Sequence, residues 1–231
     1  MLYLTGDTHG DMLYLETYSD WFKMTKDDVF CILGDVGINY HMNSEDVVKK
    51  HDLARCDTVF LCIQGNHEKR PNDMPQYHLE DWNGGKVWVE KQYPNILFAR
   101  DGDIYQIGSK SVLVLGGAYS VDKWYRLQHG YQWFPDEQMS EEDKARAIEN
   151  LDKCGWKVDI VLSHTCPYSY EPTDMFLPQV DQSTVDSSME HWLNEIERKL
   201  DYGAWYCGHW HTERKVEKIR FMYHDLEEID V

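Results

Sequence analysis

The stretch Leu2-Tyr-Leu-Thr-Gly-Asp-Thr-His9 introduces a pattern that the chain repeats: a short apolar run, a glycine, and then polar side chains. The pattern returns in Val29-Phe-Cys-Ile-Leu-Gly-Asp35 and in Thr58-Val-Phe-Leu-Cys-Ile-Gln-Gly-Asn66. Apolar runs of about four to six residues that end in turn residues are typical of buried parallel strands. The three stretches therefore predict three strands, each followed by polar residues at its C-terminal end.

Two amphipathic stretches separate these strands. Residues 11–24 carry apolar side chains at roughly helical spacing, and Asp11 is a suitable N-cap residue. Residues 44–53 begin with Ser-Glu-Asp, which is typical of a second helix start. The alternation of strands and helices predicts right-handed crossovers and a mostly parallel sheet.

The remainder of the chain also divides into strands and helices. Apolar runs separated by Gly and Asn-Gly turns predict antiparallel strands at 86–89, 96–98, 104–107 and 111–115. Further elements are predicted as helices at 140–153 and 184–200, strands at 158–162 and 204–207, and a closing hairpin at 215–229. Because no linker or repeat divides the chain, we expect one domain over residues 1–231, with two sheets in an α/β fold.

Composition and charge exclude several classes of protein. The chain has 231 residues, with 41 Asp and Glu against 23 Lys and Arg, so its formal net charge is −18. A hydrophobic content of 42% excludes a disordered chain. The acidity argues against nonspecific nucleic-acid binding, which needs clustered Lys and Arg. With no apolar run near ~20 residues, no signal-like start and no paired cysteines, we expect a cytoplasmic protein with free thiols and no membrane attachment.

Polar side chains that bind metals follow five of the predicted strands. They are Asp7, His9, Asp35, Asn66, His164, His209 and His211. The C-terminal ends of parallel strands share one edge of a sheet, where ligand sites gather. The two i, i+2 pairs suit extended loop segments that turn both side chains toward one cation. We therefore expect these residues to come together at that edge.

The chemistry of this set points to divalent metals. Oxygen and nitrogen ligands without a thiolate favour Mn, Fe or Zn over an iron–sulfur cluster. Seven ligands exceed the four positions of a tetrahedral zinc site. They suit two cations about 3.5–4 Å apart with one bridging carboxylate. Each motif alone is weak evidence, but five of them in this order at strand ends are not a chance arrangement.

In these motifs the sequence resembles the calcineurin-like metallophosphoesterases. That family carries Asp-x-His, Gly-Asp, Gly-Asn-His-Asp/Glu, His and Gly-His-x-His in this order, and the resemblance spans residues 5–211. It implies an α/β fold in which two mixed β-sheets pack as a sandwich flanked by helices. It also implies a first metal held by Asp7, His9 and His211, a second held by Asn66, His164 and His209, and Asp35 as the bridge.

The resemblance further implies a dinuclear hydrolase of phosphate esters. A hydroxide bridging the two cations would attack phosphorus in line, which makes Asp35 a catalytic residue together with His67, placed over the phosphate. Asn66 and His67 would contact the substrate, and Arg126 is a candidate phosphate clamp. Manganese is the preferred metal, with iron, zinc or nickel as alternatives. The expected partner is a small phosphate ester or a nucleotide.

The sequence departs from the family pattern at positions that distinguish protein phosphatases from phosphodiesterases and nucleases. Gly34-Asp-Val-Gly-Ile-Asn39 lacks the Asp and Arg that protein phosphatases carry there, and Gly-His-x-His is typical of the phosphodiesterase and nuclease branches. We therefore expect a phosphodiesterase acting on small or nucleotide-like substrates. A phosphomonoesterase, including a serine/threonine-type protein phosphatase, is the alternative, because Glu68-Lys-Arg70 is phosphatase-like. A nuclease and a non-catalytic metal-binding scaffold are further alternatives. The roles of Arg70 and Tyr119 stay open, as phosphate contacts or as surface residues. Among the aromatic residues within 119–134, Trp124, Trp133 and Phe134 either stack a base or pack under a loop.

Overall fold

The computed structural model describes residues 1–231 and divides thirteen strands between two mixed sheets. The strands are β1 (Leu2–Thr5), β2 (Val29–Ile32), β3 (Val59–Cys62), β4 (Tyr77–Trp82), β5 (Gly85–Glu90), β6 (Ile96–Ala99), β7 (Ile104–Ile107), β8 (Lys110–Leu115), β9 (Lys157–Ser163), β10 (Asp201–Cys207), β11 (Arg214–Val216), β12 (Ile219–Phe221) and β13 (Glu227–Ile229). The helices are α1 (Met12–Trp21), α2 (Ser44–Leu53), α3 (Lys123–His129), α4 (Glu141–Lys153) and α5 (Ser188–Lys199).

The first sheet begins as the sequence predicts. Strands β1, β2 and β3 lie parallel and side by side, with α1 and α2 as the two crossover helices. All residues of these strands except Val59 are buried, because one face packs on the helices and the other on the second sheet. The complete strand order is β13-β1-β2-β3-β6-β5-β4.

The second sheet has the order β11-β12-β10-β9-β8-β7. Strands β8, β9, β10 and β12 run parallel, and antiparallel strands β7 and β11 close its two edges. The strands predicted as antiparallel pair in that way as β5 with β6 and β7 with β8, but β6 also pairs parallel with β3 and β8 parallel with β9. The chain passes from the first sheet to the second between β6 and β7.

The helix starts follow from local side-chain chemistry. Asp11 Oδ1 accepts the Tyr14 backbone N–H at 3.0 Å and caps α1, as predicted. Ser140 and Asp143 form a capping box at the start of α4, in the region predicted as a helix. Helix α5 begins at Ser188 and not at residue 184, because residues 182–184 form a tighter turn that the Asp181 carboxylate caps.

The predicted closing hairpin at 215–229 is wrong in its second half. Only β11 and β12 pair with each other, and β13 instead runs antiparallel to β1 in the first sheet. Strand β13 thereby covers the edge of β1, which would otherwise present unpaired backbone groups. The C-terminal segment therefore contributes strands to both sheets.

The core between the sheets confirms the expected sandwich. One cluster of buried residues draws on both sheets, including Leu4 and Leu61 from the first and Val114 and Leu162 from the second. Two further clusters lie under the helices, on the outer face of each sheet. The six cysteines form no disulfide. No helix is both long enough and apolar enough to cross a bilayer.

Candidate metal centre

The loops that follow β1, β2, β3, β9 and β10 converge at one edge of the sandwich. Two hydrogen bonds tie the second sheet to the first there. The His209 backbone N–H donates to Asp7 Oδ1 at 2.8 Å, and His164 Nδ1 lies 2.8 Å from the Leu33 carbonyl oxygen. All seven side chains predicted at the strand ends therefore share this edge.

Asp7, His9 and His211 form the first group of side chains. The Nε2 atoms of the two histidines are 2.9 Å apart, and His211 Nε2 lies 3.3 Å from Asp7 Oδ2. Asp7 is buried, and its Oδ2 has no hydrogen-bond partner. A buried carboxylate oxygen without a donor is costly, and a bound cation would satisfy it together with the facing imidazole nitrogens. This donor set fits a divalent metal.

Asn66, His164 and His209 form the second group. Asn66 Oδ1 faces His164 Nε2 at 2.7 Å and His209 Nδ1 at 3.1 Å. Burial, with the neighbouring His164, lowers the pKa of His209 to about 3. Its imidazole is therefore neutral near pH 7, which is the form that binds a metal. The three side chains present oxygen and nitrogen atoms toward a common point.

Asp35 lies between the two groups. Its Oδ2 is 4.0 Å from His9 Nδ1, and its Oδ1 is 3.7 Å from His164 Nε2. Burial alone would raise the pKa of this carboxyl, but His164, His67 and His9 together hold it well below its usual range. Asp35 is therefore a carboxylate with one oxygen toward each group.

Four of the candidate ligands at this edge have uncommon backbone angles, and one motif glycine makes room for a neighbouring carboxylate. His9, Asp35, His209 and His211 have left-handed φ angles between 46° and 64°. Such angles are uncommon outside glycine and cluster at functional sites. A Cβ atom on Gly65 would collide with Asp35 Oδ1. The glycine before Asn66 is therefore required by the close approach of the Asp35 carboxylate.

His67 lies beside Asp35, and Arg126 lies beside His67. His67 Nε2 is 3.8 Å from Asp35 Oδ2 and 3.3 Å from Arg126 Nη2. Burial lowers the pKa of His67, Asp35 opposes this shift, and Arg126 adds to it. Arg126 itself donates from Nε to the Asp122 carboxylate at 2.8 Å. The structure thus brings Arg126 to the same cleft as the predicted metal ligands.

Two buried residues that the sequence analysis missed hold Asn66. The Asn66 Nδ2 group donates to Ser120 Oγ at 2.9 Å, and the Ser120 hydroxyl in turn faces the Glu137 carboxylate. If the single hydroxyl proton goes to Glu137, Ser120 accepts from the amide nitrogen and leaves Asn66 Oδ1 toward the histidines. In the sequence Ser120 lies in the Gly-rich stretch 116–120 and Glu137 in the acidic run 136–143, and neither belongs to a metal-binding motif.

The open candidates from the 119–134 segment and Arg70 have different surroundings. Trp133 Nε1 donates to Glu137 at 2.8 Å and Phe134 is buried, so both pack under the loop. Trp124 is 68% exposed on α3. Arg70 is buried and paired with Asp101, so its guanidinium does not line the cleft.

Comparison with known proteins agrees with this geometry. The model of the calcineurin-like phosphoesterase family matches residues 2–213, and the chain belongs to that family. Among curated proteins, none matches the chain significantly. The protein is accordingly a metallophosphoesterase, a metal-dependent hydrolase of phosphate esters.

Proposed function

We propose that this protein is a dinuclear phosphodiesterase that hydrolyses small or nucleotide-like phosphate diesters. In this proposal Asp7, His9 and His211 would hold one metal. Asn66, His164 and His209 would hold the other, and Asp35 would contribute a carboxylate oxygen to each. Manganese is the preferred metal because the ligands are oxygen and nitrogen atoms without a thiolate. When bound, two divalent cations activate water as a nucleophile and offset the negative charge of the phosphate.

The observation that carries the proposal is the position of the Asp35 carboxylate. One of its oxygens faces His9 of the first group at 4.0 Å, and the other faces His164 of the second group at 3.7 Å. Its strongly lowered pKa keeps it charged at any physiological pH. A bridging carboxylate between two cations needs this combination of placement and charge.

The chain's own residues position the substrate around this centre. His67 Nε2 faces the cleft beside Asp35, where the leaving oxygen of the substrate needs a positive or proton-donating neighbour. Arg126 presents its Nη2 group next to His67, within reach of a phosphate oxygen. We assign stabilisation of the leaving oxygen to His67 and orientation of the phosphate to Asn66 and Arg126.

Two further expectations belong to the proposal. We propose one domain over residues 1–231, supported by a core cluster that draws on both sheets. We also propose a cytoplasmic location, supported by six free cysteines, of which four are buried.

The preference for diesters is supported by Gly208-His-Trp-His211 and by the surroundings of Arg70. The alternative, a phosphomonoesterase or protein phosphatase, rested on the stretch Glu68-Lys-Arg70. Because Arg70 pairs with Asp101 and Glu68 is fully buried, neither side chain reaches the cleft. These positions favour the diester proposal over a phosphatase-type clamp built from Glu68 or Arg70.

The test compares bis-p-nitrophenyl phosphate with p-nitrophenyl phosphate on the manganese-loaded protein. We expect higher kcat/KM for the diester. His67→Ala should lower kcat by at least about 100-fold, the usual range for a general acid–base group, while two metals per chain are retained. His78→Ala, on an exposed histidine of β4, is the matched control and should behave like wild type.

Each outcome decides between the hypotheses. A monoester preference would replace the phosphodiesterase with a phosphomonoesterase. Binding of a single metal would contradict the dinuclear centre. Two bound metals without cleavage of either ester would favour an enzyme of narrow substrate range or a scaffold.

A further inference from the structure

A cavity of about 230 Å³ opens beside the candidate metal centre. Its lining includes His9, Asp35 and His67 of the strand-end motifs. Tyr40, His41, Lys49 and Arg126 also line it, and none of these four belongs to a metal-binding motif. A site for a whole small-molecule ligand usually measures about 300–1,000 Å³. This cavity therefore suits one group of a larger substrate whose phosphate lies at the metals.

Lys49 on α2 is a charged group of this lining that forms no salt bridge. Its Nζ donates to the Gly37 carbonyl oxygen at 2.8 Å, and no carboxylate oxygen lies within 4.0 Å of it. The ammonium group has three N–H donors, so two remain for a ligand. The neighbouring Lys50 shows the contrasting arrangement, because its Nζ is paired with Glu90 at 2.7 Å.

Lys49 is held close to the metal centre by the backbone on which it packs. A Cβ atom on Gly10 would lie 2.7 Å from Lys49 Nζ, so the ammonium group rests on the loop that carries His9. Glycine at this position leaves room for the ammonium group. The cation is therefore placed next to the predicted metal ligands and not merely on the same face of the protein.

Arg126 on α3 supplies directed donors to the same cavity. Its Nη1 lies 3.1 Å from the Tyr40 hydroxyl, and its Nε is paired with Asp122. Because Asp122 offsets the charge of Arg126, the guanidinium contributes mainly oriented N–H groups. Lys49 then provides the positive charge of this lining that no salt bridge offsets.

We propose that this cavity is a subsite for a second anionic group of the substrate, bound by Lys49. The substrate class is a phosphate ester that carries a further phosphate or carboxylate beyond the phosphoryl group that is hydrolysed. This inference rests on the proposed phosphodiesterase function and specifies its substrates. We place the second anion on the part of the substrate that is not the leaving group, because Lys49 rests on the loop that carries His9, whereas the leaving oxygen is assigned to His67. Lys49 then sets the preference for this anion.

The experiment uses two diesters that differ only in one charge. They are 4-nitrophenyl 4-carboxyphenyl phosphate and the neutral analogue 4-nitrophenyl 4-carbamoylphenyl phosphate, and both release 4-nitrophenolate. For the manganese-loaded wild type we expect kcat/KM to be roughly tenfold higher for the carboxylate, as for an ion pair in a partly screened cavity. The preference should decline as salt is raised.

Three variants separate a charge effect from a folding effect. Lys49→Met should bring the ratio of the two kcat/KM values to about one, and Lys49→Arg should restore most of the preference. Lys153→Met removes an equal charge from an exposed position on α4 and should keep the wild-type ratio. Metal content and circular dichroism establish that each variant is folded.

The outcomes distinguish the subsite from the proposed function. Equal kcat/KM for both diesters in the wild type, or a preference that survives in Lys49→Met, overturns the subsite and leaves the phosphodiesterase intact. If neither diester nor bis-p-nitrophenyl phosphate is cleaved, the proposed function fails. Titration calorimetry with the same two diesters then measures the subsite directly. A Kd ratio of one overturns it, and a tenfold ratio that disappears in Lys49→Met supports it.

Discussion

Replacing Glu190 with glutamine tests how a buried carboxyl beneath the metal centre affects stability. Glu190 on α5 is 4% exposed, and its Oε1 accepts a hydrogen bond from Thr165, the residue after His164. Its Oε2 is buried without a partner. Burial therefore raises the pKa of this carboxyl from 4.5 to about 7. The folded protein holds the proton more tightly than the unfolded chain does.

This shift makes the protein less stable as the pH rises. Below about pH 4.5 the carboxyl is protonated in both the folded and the unfolded state and does not reduce the free energy of unfolding. Between that pH and about 7 the carboxyl is ionised in the unfolded chain but still protonated in the folded protein, so the free energy of unfolding falls as the pH rises. Above about 7 the carboxyl is ionised in both states, and the free energy of unfolding falls no further. From about pH 5.5 to pH 8 the group removes ~2 kcal/mol from the free energy of unfolding.

The assay is urea unfolding of the metal-free wild type and Glu190→Gln at these two pH values. The buried amide N–H group of the variant lacks a hydrogen-bond partner at both pH values. Its energetic cost is therefore the same at each pH and cancels when the two pH values are compared. We expect the variant to gain ~2 kcal/mol relative to wild type on going from the lower to the higher pH. Glu195→Gln, an exposed position on the same helix, should show a difference below ~0.5 kcal/mol.

An equal stability difference at both pH values would refute this reasoning. It would mean that water or a structural adjustment solvates Glu190 well enough to leave its pKa near 4.5. A larger gain at the lower pH would reverse the sign and show that the carboxylate is stabilised in the folded protein.

Three further predictions concern the metal centre. Ser120→Ala should weaken metal binding by about 10–100-fold in a metal titration, and Ser120→Thr should recover part of the affinity because it keeps the hydroxyl. An unchanged affinity of Ser120→Ala would show that Ser120 does not orient Asn66. Gly65→Ala should lower the free energy of unfolding by ~1–3 kcal/mol and reduce the metal content, because its Cβ collides with Asp35. A variant that is as stable as wild type and binds as much metal would contradict this prediction. Removing metal with a chelator should lower Tm, and manganese at about 1,000 times its Kd should restore ~4 kcal/mol of the free energy of unfolding. A Tm that does not respond to metal would argue against metal binding at Asp7.

The strand-end motifs were predictable because the information in them is local. A short apolar run followed by glycine and a polar residue specifies a buried strand and a loop at its C-terminal end. Parallel pairing then places such ends along one edge, whatever the details of the loops. For that reason Asp7, Asp35 and Asn66 could be expected together before the structure was known.

Other elements carry no local signal. Strand β4 has a single buried residue, Tyr77, because it is the edge strand of its sheet, so no apolar alternation marks it. Helix α3 has no buried residue and looked like part of an aromatic-rich loop. The division of β12 and β13 between two sheets depends on which strand edges are left open, and that is decided only when both sheets have formed.

The sequence by itself determined the fold class, the family pattern and the set of candidate metal ligands, because strand periodicity and ligand chemistry are properties of short segments. The tertiary structure alone decided which groups surround that set. Ser120 reaches Asn66 across 54 positions of the chain, and Arg126 reaches His67 across 59. The burial of Glu190 and the free ammonium of Lys49 likewise depend on which surfaces pack together. Contacts between distant segments arise from the packing of two sheets and their helices, which no single segment encodes.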